Sequence, residues 1–583
     1  MPPRISTLDL AIVAAYLLVV LGLGLYQALK IRTSGDYYAG GRKFGKFYLI
    51  MHALGTASHA DEPVSVIGGS YEKGLSGIWY TYLYLPLTPI FWLLAPYVRR
   101  TRFVTMADFF RARYNPSLAI LYSVMGVLKM SVAIGVVLKG TATIVRSVTN
   151  GAIDERWAIY AMTVVFVLYG FAGGLRATLV TEAIQGPLIV LMSLLLLPFG
   201  LYAVGGFRGL HEALPPAMFD LRAGRQEFTT AWIAAASLTA LIGWVAQPGI
   251  VAALGSGKTE LEGRVGYTYG TMIKRFCAMG WVFTGVVLAA LVAHGHVAAD
   301  QVQQLHRHRE DAFGIAMEAL LPQGLLGLMF AAIFAAQMST LSAQMVNSSA
   351  LAAHNLYRAA IRPRASDQEV LIVGRISGLF LVAIGVYLAT ALSRVANALT
   401  MLLQFSSIMG VVVWGGVLWR RANAKGAWAA VAVLFLTWAT LGPIGMLVSN
   451  AVDGRPPAAR ESAPAARHRL PEWLGKYGTE QFVPELMVRY LPPGALTLIL
   501  VSLLTRPQPR KQLDDFFLLL KTPVGDEQKL IDAGVPIVYA GSTRANPLET
   551  RHPRLVHWGG FLLAAAICAA ILGLLYILSR IGT

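Results

Sequence analysis

Runs of roughly twenty apolar residues recur from one end of this chain to the other, which is the length a helix needs to cross a bilayer. Inside lipid every backbone amide and carbonyl must find an internal partner, so only helices and closed barrels span. A barrel strand is short and alternates apolar with polar residues, whereas the runs here are continuous. The chain therefore reads as an all-α polytopic membrane protein. Its composition agrees: 56% of the 583 residues are hydrophobic and 14% charged. A soluble globular chain carries about 25% charged residues.

Apolar helical runs fall near 8–30, 46–70, 77–98, 116–148, 156–176, 178–204 and 230–254, then near 267–294, 323–352, 369–393, 395–420, 426–449, 484–504 and 556–579, about 14 in all. Only Arg4 precedes the first run, while Lys30 and Arg32 follow it. This run is too long for a signal-peptide core and has no small-residue cleavage pattern after it. It is expected to remain as a helix with its N-terminus outside, and an even count then puts the C-terminus outside too. The net charge of +18 lies in alternate loops: Arg42, Lys43 and Lys46; Arg99, Arg100 and Arg102; Arg358, Arg362 and Arg364; Arg420, Arg421 and Lys425. That is the positive-inside pattern of a multi-pass protein of the cell (inner or plasma) membrane. The expected partner of these cations is anionic lipid, not nucleic acid. Cys277 and Cys568 sit in or beside apolar runs, so neither a disulfide framework nor a cysteine metal site is indicated.

The segment "ASHADEPVSVIGGSYEKG" (57–74) interrupts one of these runs with His59, Asp61, Glu62 and Pro63. A second interruption, "GWVAQPGIVAAL", puts Gln247, Pro248 and Gly249 inside another. Transporters are often built from two inverted repeats, and paired interruptions at matching positions mark the binding site. Taking 46–204 and 230–420 as two five-helix repeats places a break in the first helix of each. An odd number of spans per repeat makes the repeats opposite in orientation. Proline removes a donor and clashes with the preceding turn. The carbonyls so freed are ligands for a hard cation, tolerated at bilayer depth only where they are buried in protein or line a cavity. The division that follows is 1–45, an extra first helix and cytoplasmic loop; 46–204, the first repeat; 205–229, an external loop; and 230–420, the second repeat. Residues 421–504 are two peripheral helices around an external loop at 450–483, 505–555 a cytoplasmic loop carrying an amphipathic helix, and 556–583 the last span.

Several motifs in order resemble the sodium:solute symporter family over roughly residues 8–505. "YGFAGGLRATLVTEAIQ" (169–185) is similar to the family's Gly-Gly-Leu hairpin followed by Thr-Asp-x-x-Gln, with Glu182 in place of the Asp. "GLMFAAIFAAQMSTLSAQMVNSSAL" (327–351) is similar to its eighth core helix with a Ser-Thr pair. "NLYRAAIRPRASDQE" and "VLWRRANAKGAWAA" are similar to its cytoplasmic connections. The resemblance implies the five-plus-five inverted-repeat fold shared with the leucine transporter, with no cofactor beyond Na+ as coupling ion. It implies sodium ligands at the carbonyls of Gly55, Ser58 and Ala336 and the hydroxyls of Ser339 and Thr340. It also implies a second ion or proton site at Glu182 and Gln185, for which the alternative is an acid favourably placed at a helix start.

Intramembrane acids are functional candidates by default, which singles out Asp61 and Glu62; with His59 beside them, and with Thr81 and Gln247 as the resemblance implies, these are the expected solute contacts. Glu62 stands where the sugar-transporting branch has a Gln, and Thr81 where it has a Glu. "AQPGI" is closer to the proline branch, although Gly249 replaces its His and Ala252 its Arg. A small organic solute, an amino acid or small carboxylate before a sugar, is the expected cargo. The alternatives are a proton-coupled carrier of the same fold and a non-transporting solute sensor signalling through 505–555. "GSGKTE" (255–260) imitates the end of a phosphate-binding loop, but position 252 is Ala where Gly is required and an apolar run precedes it in place of a strand. "HGH" (294–296) and "HRHRED" (306–311) read as solvated loop histidines before a metal site, and no nucleophile–base arrangement suggests an enzyme.

Overall fold

A computed structural model describes residues 5–59, 61–149, 151, 153–222, 229–391, 395–441 and 482–582. Among these residues the chain is helical without a β-strand. The first half contains α1 (Thr7–Ala28), α2 (Lys46–Ala57), α3 (Asp61–Lys73), α4 (Thr88–Arg100), α5 (Pro116–Val148) and α6 (Glu155–Leu194). Then come α7 (Thr230–Trp244), α8 (Ile250–Gly255), α9 (Glu260–Ala293), α10 (Leu325–Ala350), α11 (Asp367–Ala391) and α12 (Val395–Leu418). The chain continues through α13 (Ala424–Leu441), α14 (Phe482–Leu504), α15 (Arg510–Lys521), α16 (Pro547–Arg551) and α17 (Gly560–Leu578).

Seven helices among the described residues are long and apolar enough to cross a membrane. Fewer qualify than the apolar runs in the sequence: those at 395–420, 426–449 and 484–504 are only partly described, and several others are cut into pieces too short to span singly. The run at 46–70 becomes α2 and α3, of 12 and 13 residues. The run at 230–254 becomes α7 and α8, of 15 and 6 residues. The run at 77–98 starts as a tight turn and a four-residue helix before α4. The two runs from 156 to 204 meet at Gly174, whose φ of 54° and ψ of −155° leave helical geometry; an added Cβ there would lie 2.5 Å from the Tyr37 ring. The expected external loop at 450–483 lies outside the described residues except for its last two positions, which open α14.

The core is organised around α9, which packs along both α2 and α3. Glycines make that approach possible. A Cβ on Gly266 would lie 2.3 Å from Leu49 Cβ, one on Gly270 2.5 Å from the Ile50 carbonyl, and one on Gly285 2.4 Å from the Ile67 carbonyl. Close helix contact through small residues is how membrane helices associate when lipid offers no hydrophobic drive. On the other side α6 packs on α10, α2 and α1. Asp9 fastens the start of α1 to that of α10, accepting from the Gly324 and Gly327 amides at 2.8 and 2.7 Å.

Only part of the arginine clusters departs from the expectation that they anchor on lipid: Arg362, Arg364, Arg420 and Lys425 are exposed, as expected. Lys30, Arg32, Lys43 and Lys46 are exposed, but Arg42, Arg99, Arg102 and Arg113 are buried. They fasten loops together. Arg102 binds Glu527 at 2.8 Å and the Thr522 and Pro523 carbonyls at 3.1 and 2.8 Å. Arg99 donates to Gly257 and Ser542 carbonyls, and Arg113 to those of Gly416 and Trp419. Glu260 accepts from Arg100 and from the Val524 amide. The loop that imitates a phosphate-binding turn is thereby used as a structural junction. Amphipathic α15 buries Leu513, Phe516, Leu519 and Leu520, so the segment from 505 to 555 is docked on the helical core.

Two predictions follow from this packing. Gly270→Ala forces α9 away from α2 and lowers stability by about 1–3 kcal/mol, the usual penalty of overpacking. Gly22→Ala, with nothing within 4 Å of the added Cβ, loses none in the same detergent unfolding assay. The second concerns Glu549, 3.1 Å from Arg264. Burial, reinforced by the Glu260 carboxylate, pushes its carboxyl up from 4.5 to about 7. The native state then binds more protons than the unfolded state across that window, so stability falls as pH rises through it. Glu549→Gln, a mimic of the protonated side chain, matches wild type below the window and melts higher above it.

Candidate functional site

The site begins where α2 stops. Ser58 leaves helical geometry at φ −107° and ψ 78°, and α3 opens at Asp61 with Pro63 in its first turn, where a missing N–H breaks no helical bond. Asp61 and Glu62 share that turn, favoured by the helix dipole. Opposite the break, α10 presents Ser339 and Thr340. Thr340 Oγ1 donates to the Gly55 carbonyl at 3.2 Å, and the Ala336 carbonyl lies 3.1 Å from the same hydroxyl. Gly55 must be glycine, since a Cβ there would lie 2.4 Å from Ser339 Oγ. Ser58 Oγ is buried with no hydrogen-bond partner. Gly55, Ala336, Ser339 and Thr340 are thus assembled across the helix break, beside an orphaned hydroxyl. Such a set of neutral oxygens fits a hard cation.

Glu182 on α6 joins this cluster. Its Oε1 accepts from Ser339 Oγ at 2.7 Å, and its Oε2 is 2.6 Å from His52 Nδ1 on α2. Both partners are buried. Gln185 turns elsewhere and donates to Tyr16 Oη at 3.2 Å, leaving its Oε1 buried without a partner.

A cavity of about 300 Å³ adjoins the break, lined by both interrupted helices. His59, Glu62 and Gln247 line it, and so do Thr340 and His52 of the oxygen cluster. Two expected solute contacts do not. Asp61 is fully buried, its Oδ1 3.6 Å from His59 Nδ1, and its backbone packs where a Cβ on Gly140 would fall. Thr81 is buried and accepts from Arg275 Nη1 at 2.8 Å. Aromatic side chains form much of the remaining wall, including Phe91 stacked on Trp244 with ring centroids 4.2 Å apart.

The structure adds four residues to those expected: His52, Lys129, Lys274 and Arg275, all at the cavity wall. Each is an ionisable group inside an apolar run, which was signal enough. Lys274 on α9 lies 2.5 Å from Glu62 Oε2 and also donates to the Ala57 carbonyl, the last of α2. It therefore ties the two halves of the broken helix through one ammonium. Removing one partner of a buried pair costs about 3–5 kcal/mol because the other charge is stranded. Lys274→Met accordingly lowers stability by that amount, and Lys274→Met with Glu62→Gln regains most of it, both read by thermal unfolding.

The chain has marked similarity to known transporters. The model of the sodium:solute symporter family matches residues 37–433. The chain is 28% identical over 449 residues to the osmoregulated proline transporter OpuE of Bacillus subtilis, covering 73% of this chain and 88% of that one. It is 26% identical over 457 residues to the sodium/pantothenate symporter of Haemophilus influenzae, covering 75% and 90%. It is 27% identical over 470 residues to the sodium/myo-inositol cotransporter 2 of Sus scrofa, covering 73% and 68%. A Na+-coupled sialic acid symporter, solved substrate-bound and outward-open, superposes with a TM-score of 0.70 at 17% identity, over 86% of this chain and 99% of that one. The likeness to that structure is one of fold. With a match over more than half its length, a broken helix facing a hydroxyl pair and a cavity at the break, the chain belongs to the sodium:solute symporter family, a family of integral membrane transporters and not of enzymes.

Proposed function

We propose that this protein imports a small organic solute by sodium-driven symport with alternating access. The observation that carries the reading is the Thr340 hydroxyl, which reaches the Gly55 carbonyl across the helix break and also lines the cavity. A sodium ion held by the carbonyls of Gly55, Ser58 and Ala336 and the hydroxyls of Ser339 and Thr340 would order the break. Solute would bind on the other side of the same wall, against His59, Glu62 and Gln247. Ion and solute then raise each other's affinity by the same factor. Each net charge carried inward gains about 2.3 kcal/mol per 100 mV of membrane potential.

The architecture that goes with this reading has about 14 spans, two inverted five-helix repeats at 46–204 and 230–420, and both termini outside. The interruptions between α2 and α3 and between α7 and α8, one in each proposed repeat, support it. Relatives named for proline, pantothenate and myo-inositol support a small organic cargo, with an amino acid or small carboxylate preferred here. A second reading has one geometric support. The His52–Glu182 contact at 2.6 Å is a site for a proton next to Ser339, so a proton can serve in place of a second ion.

The test follows thermal unfolding of the purified protein as sodium replaces potassium or choline at constant ionic strength. A ligand specific for the folded state stabilises it by about 2.7 kcal/mol at a hundredfold excess over its dissociation constant. Wild type shows a saturable shift specific to sodium, and Thr340→Ala loses it. A shift that Thr340→Ala retains, or none at all, overturns the sodium assignment. A sodium-independent response to pH that His52→Gln abolishes would establish the proton-coupled reading instead.

A further inference from the structure

The charge balance of the cavity bears on its cargo. Among the described residues its wall carries three cationic side chains, Lys129, Lys274 and Arg275, against the single carboxylate of Glu62. Glu62 is already committed to Lys274 at 2.5 Å. Lys129 projects from the middle of α5 and makes no ion pair or hydrogen bond with any described residue. Arg275 has Thr81 Oγ1 and the face of the Tyr84 ring, 5.6 Å from its guanidinium carbon; Glu62 is the acid whose charge it feels, without an ion pair between them, and its Nε is buried without a partner. Asp61 lies outside the wall, and counting it still leaves one positive charge in excess. An uncompensated charge in a low-dielectric cavity is costly until something of opposite sign pairs with it.

The acceptor side of the cavity points the same way. A solute ammonium would need acceptors at the helix break, the Ala57 carbonyl and the Glu62 carboxylate. Both are occupied by the Lys274 ammonium, an internal occupant of that position. Beyond the charges, Phe91, Trp232, Trp244, Tyr84 and Tyr267 form an aromatic part of the wall beside amides such as Gln247, which suits an apolar body.

We infer that the solute is an organic carboxylate with an apolar body and no ammonium group, its carboxylate bound by Lys129, while Arg275 adds to the positive charge of the cavity. This deepens the symporter reading and rests on it. It also gives the coupling a physical origin. Thr340 belongs to both the sodium cluster and the cavity wall, so a sodium ion and an anionic solute would occupy opposite sides of one wall, each lowering the other's dissociation constant.

The experiment uses the full-length protein in detergent, read by tryptophan fluorescence, since Trp232 and Trp244 line the cavity. The probes are matched trios on one carbon body: phenylpropanoate, phenylpropanamide and phenylalanine, then isovalerate, isovaleramide and valine, each in sodium and in potassium. The expected result is saturable, sodium-dependent binding of the carboxylates, with the amides and amino acids weaker. Lys129→Gln weakens carboxylate binding about tenfold, the scale of one hydrogen bond to a charged group, and Lys129→Arg restores it. An amide or amino acid that binds as well as its carboxylate overturns the inference, as does a carboxylate affinity that Lys129→Gln leaves unchanged. A protein that stabilises in sodium yet binds no carboxylate overturns the anion inference and spares the symporter. No response to sodium overturns the symporter reading and the anion inference with it.

Discussion

The last carbonyls of α2 are the constraint on which the site depends. A helix leaves its final four carbonyls without intrahelical partners, and in a membrane-embedded core water is not there to take them. In this protein they are Leu54, Gly55, Thr56 and Ala57, and each has a partner. Leu54 and Gly55 take the Ser58 amide. Gly55 also takes the Thr340 hydroxyl, Thr56 takes His59 Nε2, and Ala57 takes the Lys274 ammonium. Three of those partners are side chains at the cavity wall. The break is therefore stabilised by the groups that an arriving ion or solute would engage. Occupation of the site and satisfaction of the backbone compete for the same atoms, which makes the break responsive to ligand.

Around that break the scaffold is stiff for a different reason. α9 holds both halves of the interrupted helix through glycine contacts at Gly266, Gly270 and Gly285, and through Lys274 between them. One continuous helix against two short ones fixes where the break can open. α10 faces it from the other side, anchored at its start by Asp9 of α1. Ser339 and Thr340 are thus carried on a different helix from Lys274, and a change in distance between α9 and α10 would be felt at Gly55 and Ala57, two residues apart on α2.

Much of this was legible in the sequence, and the reasons for the remainder are physical. Proline and acids inside apolar runs located both interruptions, because few structures tolerate them at bilayer depth. The Ser339–Thr340 pair and Gly55 were reachable only through the motif resemblance, since hydroxyls in membrane helices commonly bond back to their own backbone. Asp61 and Glu62 were indistinguishable as neighbours in sequence, yet one turn of helix sends Glu62 to the cavity and Asp61 into packing against α5. His52, Lys129, Lys274 and Arg275 obey the same rule of intramembrane charge as the acids, and reading only the acids hides them. The buried arginines carried a misleading signal. Their spacing in loops fits lipid anchors, while the carbonyls that take up Arg42, Arg99, Arg102 and Arg113 belong to segments far away in sequence.

The pairing of Glu62 with Lys274 changes what the acid at the helix break can do. An unpaired carboxylate there would attract cations of any kind, sodium and amines alike. Once neutralised by an internal ammonium, it repels neither and recruits neither, and the sign of the cavity is set by the cations that remain. Lys129 is about midway along α5, is half-buried and has no ion-pair partner among the described residues, so an anionic solute is the partner that would neutralise it. A cavity of this sign weakens sodium binding at the adjoining oxygen cluster without abolishing it, and an anionic solute would relieve that penalty. The same electrostatics that raise affinity for a carboxylate would therefore oppose occupation of the site by the ion without its cargo, which favours coupling between the two.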